Sequence, residues 1–183
     1  MMKHFLVCLG LFTLLISCKK NETNISASAQ TLVNQKINEL YSQYGSSNDA
    51  LYKKPFSDDL FSPELKKVLE QAITASKEDI EKVKNSDHPD EKPLLFEGAV
   101  FSSLYEGYSS YTIKSVTIDP SGTSADADVH FEYALSPPKV TWTDKIHLIN
   151  NGKGWKIDNI RFDTIGNSKD LKASLREFAE STK

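Results

Sequence analysis

The sequence predicts an α+β domain: N-terminal helices packed on one face of a curved antiparallel four-stranded sheet, closed by a short C-terminal helix. Three observations lead there. Apolar residues recur at helical spacing up to about residue 84. From Tyr108 onward the pattern changes to period two. The period-two runs are separated by short turns, which join antiparallel neighbours rather than parallel ones.

Taken in order, Thr31 to Tyr44 carries Leu32, Val33, Ile37, Leu40, Tyr41 and Tyr44 on one helical face, and Gly45-Ser46-Ser47-Asn48 ends it. Residues 49–61 surround Pro55 and read as an irregular segment on the core. Ser62-Pro63-Glu64-Leu65 is a helix start: a serine cap, proline at the first helical position and an acid in the first turn. The stripe Leu65, Val68, Leu69, Ala72 and Ile73 follows, and the helix either runs to about Lys84 or breaks near Ser76. Residues 85–93 form a polar loop with two prolines, and 94–105 an irregular buried connection with Gly98. Strands are expected at 111–119, 123–133, 140–149 and 155–162, with Asp119-Pro120-Ser121-Gly122 and Asn150-Asn151-Gly152 as turns and Pro137-Pro138 interrupting the middle connection. In the last strand Trp155 and Ile157 have one parity, and Ile160 and Phe162 the other. A bulge near Asp158-Asn159 would return all four to the core. Asn167 or Ser168 should cap a final helix bearing Leu171, Leu175 and Phe178.

The N-terminus has a different character. Lys3 precedes an apolar run from Phe5 to Ile16, too short to span a bilayer core. Leu15-Ile16-Ser17-Cys18 closes it and resembles the bacterial lipobox. The resemblance implies a signal peptide over residues 1–17, lipid on Cys18, and anchoring of the mature chain to a membrane of the cell envelope. Lys19 in place of aspartate favours the outer membrane under the usual sorting rule. Residues 18–30 are polar and read as a flexible tether, with one α+β domain over 31–181. Of the two cysteines, Cys8 leaves with the signal and Cys18 takes lipid, so the domain has no disulfide and no cysteine metal site. The formal charge is −3, and the basic residues are scattered, which argues against nucleic acid as a partner.

The element order, together with Gly154-Trp155-Lys156-Ile157-Asp158-Asn159-Ile160-Arg161-Phe162, resembles the cystatin-like superfamily of nuclear transport factor 2 type. More narrowly it is similar to bacterial lipoproteins of the family called domain of unknown function 3828. That resemblance implies a curved sheet around a cone-shaped space and carries no catalytic residues or cofactor with it.

Two patterns bear on chemistry. Asp126, Asp128 and His130 alternate along one strand face, where a divalent metal is a weak alternative to pairing with Lys145 and His147 on the next strand. Aromatic residues concentrate after residue 95, and most belong to the core. Tyr105, Tyr108, Tyr133, Trp142 and Trp155 are candidates for a pocket or interface, with Asp158 and Arg161 at the bulge, where an Asp–Arg pair is the simpler explanation. Asp144 has the parity of Trp142 and Ile146, which places it either inside the cone or, near Pro138 and the strand start, at the solvent. There is no Gly-rich phosphate loop, nucleophile elbow or paired-histidine helix. The expected function is a non-enzymatic binding domain for a small ligand or an envelope protein, and a homodimer is compatible with it. The alternatives are a periplasmic immunity or inhibitor protein, and a cone enzyme with Asp144 as general base.

Overall fold

The computed structural model describes residues 19–45, 48–166 and 168–181. The expected signal peptide and Cys18 lie outside the described residues. The chain forms α1 (Lys19–Tyr44), α2 (Asp49–Lys53), α3 (Pro63–Lys84), β1 (Ser110–Ile118), β2 (Ser124–Tyr133), β3 (Val140–Asn150), β4 (Trp155–Arg161) and α4 (Leu171–Glu180). The strands make one antiparallel meander in the order β1-β2-β3-β4. This is the α+β arrangement that the change of periodicity predicts.

α1 differs from expectation at its start. The helix already includes Lys19, the first described residue, instead of starting at Thr31, so the segment 19–30 that its polarity marks as a tether is helical. Val33, Ile37, Leu40, Tyr41 and Tyr44 form the buried stripe, while Leu32 falls off it and is exposed. The helix ends at Gly45, where a Cβ would lie 1.8 Å from the Tyr108 hydroxyl. That Cβ would also fall 2.5 Å from the backbone oxygen of Tyr41, which cannot move aside as a side-chain tip can, so the site favours glycine.

α3 starts as its sequence predicts. Ser62 is the N-cap and its Oγ accepts a hydrogen bond from Leu65 N at 3.1 Å, with Pro63 at the first helical position. The polar stretch at Ser76 does not break the helix. Ser76 is buried, donates to Leu94 O at 2.8 Å and lies 2.8 Å from the Tyr52 hydroxyl, so its polarity is satisfied within the fold.

Just before α3, the chain pairs with the sheet. Phe61 forms a parallel bridge with Ile157, through Ile157 N to Leu60 O and Ser62 N to Ile157 O, both 2.8 Å. This covers part of the β4 edge. The predicted bulge is present: His147 pairs with Asn159 and Leu148 with Ile157, so Asp158 is the extra residue. Trp155, Ile157 and Ile160 are buried as a result, while Phe162 is half-buried.

Ser62 also donates to Asp158 Oδ1 at 2.6 Å, tying the α3 cap to the bulge. Ser62→Ala removes both bonds and is expected to cost about 1–2 kcal/mol. Urea denaturation checks this, and a loss below a few tenths of a kcal/mol would mean that the cap is redundant.

The inner face of the sheet meets α1 and α3 through a filled aromatic core, not an open cone. Phe131 stacks on Trp142 with centroids 5.4 Å apart, Tyr41 meets Phe131 edge-on at 5.3 Å, and Phe61 stacks on Phe101 at 6.1 Å. Such pairs add roughly 0.5–1.5 kcal/mol each beyond the area they bury.

Candidate functional site

At one end of the sheet, the connection from α3 to β1, the loop after β4 and one face of α4 enclose a cleft of about 440 Å³. That volume lies within the range of small-molecule sites. Its apolar walls include Val100, Leu104, Phe162, Leu171, Leu175 and Phe178. Phe96 stacks on Phe178 with centroids 3.9 Å apart and closes one side.

Local sequence explains why these segments meet. Gly98 has φ +70°, and a Cβ there would fall 2.4 Å from Tyr105 O, so only glycine lets the 98–105 loop close on itself through Ala99 N to Tyr105 O at 2.8 Å. Gly166 is pressed against Ser103: a Cβ would lie 2.7 Å from Ser103 O. Asp170, rather than Asn167 or Ser168, caps α4, accepting from Ala173 N at 3.0 Å. Asn167 itself lies outside the described residues.

Asp144, on β3, is fully buried behind Ser103 of the cleft lining and joins the α3–β1 connection to the loop after β4. Its Oδ2 accepts from Ser103 N at 2.9 Å and Trp142 Nε1 at 3.3 Å. Its Oδ1 accepts from Ser103 Oγ and from Asp163 N at 3.0 Å. Ser103 Oγ in turn accepts from Asp163 N at 2.8 Å. Burial raises the carboxyl above its ordinary value, and the four hydrogen bonds partly oppose that. The Tyr41 phenol is likewise held well above its usual range, by burial first and by the Asp144 charge second.

Of the residues that the sequence singles out, Asp144 and Tyr105 belong to this region. Tyr105 is exposed at the rim, and its hydroxyl lies 3.4 Å from Glu97 Oε2. Trp142 and Trp155 are core residues. Tyr108 is half-buried against Tyr41, and Tyr133 is half-buried at the end of β2. Asp158 and Arg161 do not pair with each other: the bulge turns Asp158 toward Lys172, at 2.8 Å, and Arg161 reaches Asp126 at 3.1 Å. On the outer sheet face Asp128 accepts from Lys145 at 2.6 Å and from Ser115 at 2.7 Å, which lowers its pKa. Asp126 pairs with both His147 and Arg161, and His130 Nδ1 lies 3.2 Å from Thr143 Oγ1. Asp128 thus has its cation on the adjacent strand β3, and Asp126 has Arg161 two strands away on β4. Among the described residues no group of three or more His, Cys, Asp or Glu is arranged to hold a metal.

Sequence reasoning missed Ser102, Ser103, Asp163 and Gly166. The only signal was a pair of serines inside an otherwise apolar stretch, which suggests buried polar work. Ser102 is 4% exposed, lines the cleft, and its hydroxyl has no hydrogen-bond partner among the described residues.

The fold and cleft thus define a class, an α+β domain with a helix-flanked open sheet and a pocket at its end. Comparison with known proteins adds no particular relative: no family model, curated protein or solved structure matches the chain. No helix among the described residues is long and apolar enough to cross a membrane.

Proposed function

We propose that this protein is a lipid-anchored, non-enzymatic binding domain of the bacterial cell envelope, akin to the lipoproteins of domain of unknown function 3828, that holds a small, largely apolar ligand in the terminal cleft. The cleft carries the reading: apolar walls, a suitable volume, and a buried serine hydroxyl with no partner among the described residues. The lipobox-like Leu15-Ile16-Ser17-Cys18 supports the anchoring.

The enzyme reading loses support at Asp144. A general base needs a free lone pair facing its substrate. A carboxylate has about four acceptor positions, and Asp144 receives four hydrogen bonds from its own chain. The carboxylate therefore acts as a clip. The protein-interface variant, including an immunity or inhibitor role, is supported less than the small-ligand one. The outer sheet face is charged and largely paired within itself rather than aromatic.

Two measurements test the proposal. Cys18→Ser, expressed in full length in a bacterium, is expected to lose lipid and leave the membrane fraction. A variant still processed and membrane-bound overturns the anchoring. Native mass spectrometry of the purified protein is expected to show a co-purifying small molecule, or binding of added amphiphiles at 1:1. A bare monomer under both conditions removes the ligand reading.

A further inference from the structure

Which ligand chemistry suits the cleft follows from the charges around it. Among its described lining residues there is no Lys, Arg or His. Two carboxylates sit at the rim. Glu97 is neutralised by Lys92 at 2.5 Å, but Glu106 is exposed and makes no ion pair among the described residues. Behind Ser103 the Asp144 carboxyl already has its acceptor positions occupied. α4 opens beside the cleft, and a helix N-terminus ordinarily attracts anions. Here that end is capped by the Asp170 carboxylate, which removes the attraction. The Ser102 hydroxyl can donate or accept, so it adds polarity without choosing a charge.

We infer that the cleft takes an amphipathic molecule whose apolar body lies along Leu171, Leu175 and Phe178 and whose polar end is a cationic amine, and that it rejects carboxylates and phosphates. This rests on the small-ligand reading above and narrows it. A carboxylate entering the cleft meets no cation among the described lining residues, since Lys92 beside the rim is engaged by Glu97, and it faces Glu106. An ammonium meets Glu106 at the rim, with the acceptors of Glu97 nearby. Burying an ionised group without a partner is unfavourable enough to reverse the preference between two ligands with the same tail.

The test is binding of octylammonium, octanol and octanoate to the whole protein by titration calorimetry at neutral pH and moderate salt. Octylammonium is expected to bind roughly tenfold or more tightly than octanoate, with octanol between them. Glu106→Gln should narrow the amine-to-carboxylate ratio, by up to about fivefold at an exposed site. Ser102→Ala should weaken the amine and the alcohol by about two- to tenfold while leaving Tm unchanged or raised, since it deletes a buried hydroxyl that has no partner among the described residues. Octanoate binding as tightly as octylammonium, or a Glu106→Gln variant with an unchanged ratio, overturns the charge inference and leaves the cleft a ligand site. Ser102→Ala with a lowered Tm and unchanged affinity overturns the role of Ser102. Binding of none of the three probes removes the small-ligand reading, and this inference with it.

Discussion

Asp144→Ala is expected to destabilise the domain by roughly 3–5 kcal/mol. Four donors lose their acceptor: Ser103 N, Ser103 Oγ, Trp142 Nε1 and Asp163 N. Asp163 N keeps Ser103 Oγ, so two buried N–H groups are left unpaired, each worth roughly 1–3 kcal/mol. Some water can enter from the cleft, which keeps the estimate below the simple sum. The loss should depend on pH with a definite sign. Burial raises the folded-state pKa of this carboxyl, so folding favours its protonated form. Its contribution is fully present below the unfolded-chain value, near about 4, and is lost as pH rises through the folded value. The variant's deficit should therefore be larger near pH 4 than near pH 8. Asp128 and Asp163 behave oppositely: Lys145 beside the first and the Thr143 N–H on the second lower their values, so their contributions are lost as pH falls. Denaturant unfolding of both proteins across that range decides it. A deficit that grows with pH would show that the four donors outweigh burial.

Lys172→Met is expected to cost about 3–5 kcal/mol. The ammonium is 2.9 Å from Glu64 Oε2 and 2.8 Å from Asp158 Oδ2, and the Lys172 and Asp158 side chains are 9% and 15% exposed. Asp158 also holds the Ser62 hydroxyl that caps α3. One cation thereby joins α3, the β4 bulge and α4. Burial lowers the Lys172 pKa, but the hydrogen bonds to Asp158 and Glu64 outweigh it and the net shift is upward. Removing the cation leaves the half-buried Asp158 with the Ser62 hydroxyl as its only remaining side-chain partner among the described residues. The charge, not the volume, is what is missing, because methionine fills the same space. The double variant Lys172→Met/Asp158→Leu should recover much of the loss, since an apolar pair can replace a buried ion pair at little cost. A thermodynamic cycle over the two positions measures the coupling. Additive single losses would show that the two residues act independently.

How much of this was legible beforehand differs by residue. The α3 cap, the strand order and the β4 bulge were readable because each rests on local geometry: a side chain reaching its own helix, a short turn, a change of parity along one strand. The parity that Asp144 shares with Trp142 and Ile146 was readable as well, without settling whether it meets core or solvent. Its role was not, because three of its hydrogen bonds come from Ser103 and Asp163, residues far along the chain with no local pattern to mark them. The start of α1 was misplaced because the segment 19–30 has polar composition and no apolar stripe, and periodicity is blind to such a helix. An Asp158–Arg161 pair suggested itself from proximity in sequence. The bulge separates them by sending each to a different side of the sheet.

By itself, the sequence determined the α+β class, the order of the three longer helices and the four strands but not the short α2, the absence of disulfides from the domain, and the lipobox-like Cys18 near its start. All of these depend on short-range patterning or on residue identity. Only the tertiary structure decided that the cone is filled by aromatic rings, that Asp144 is a clip, and that the cleft lies at the end of the sheet. A cleft is a space between segments distant in sequence, here 96–106, 162–168 and α4. Its shape is set by how closely backbones can approach at Gly98 and Gly166, and its charge by which side chains happen to meet there. Neither quantity has a period or a spacing along the chain.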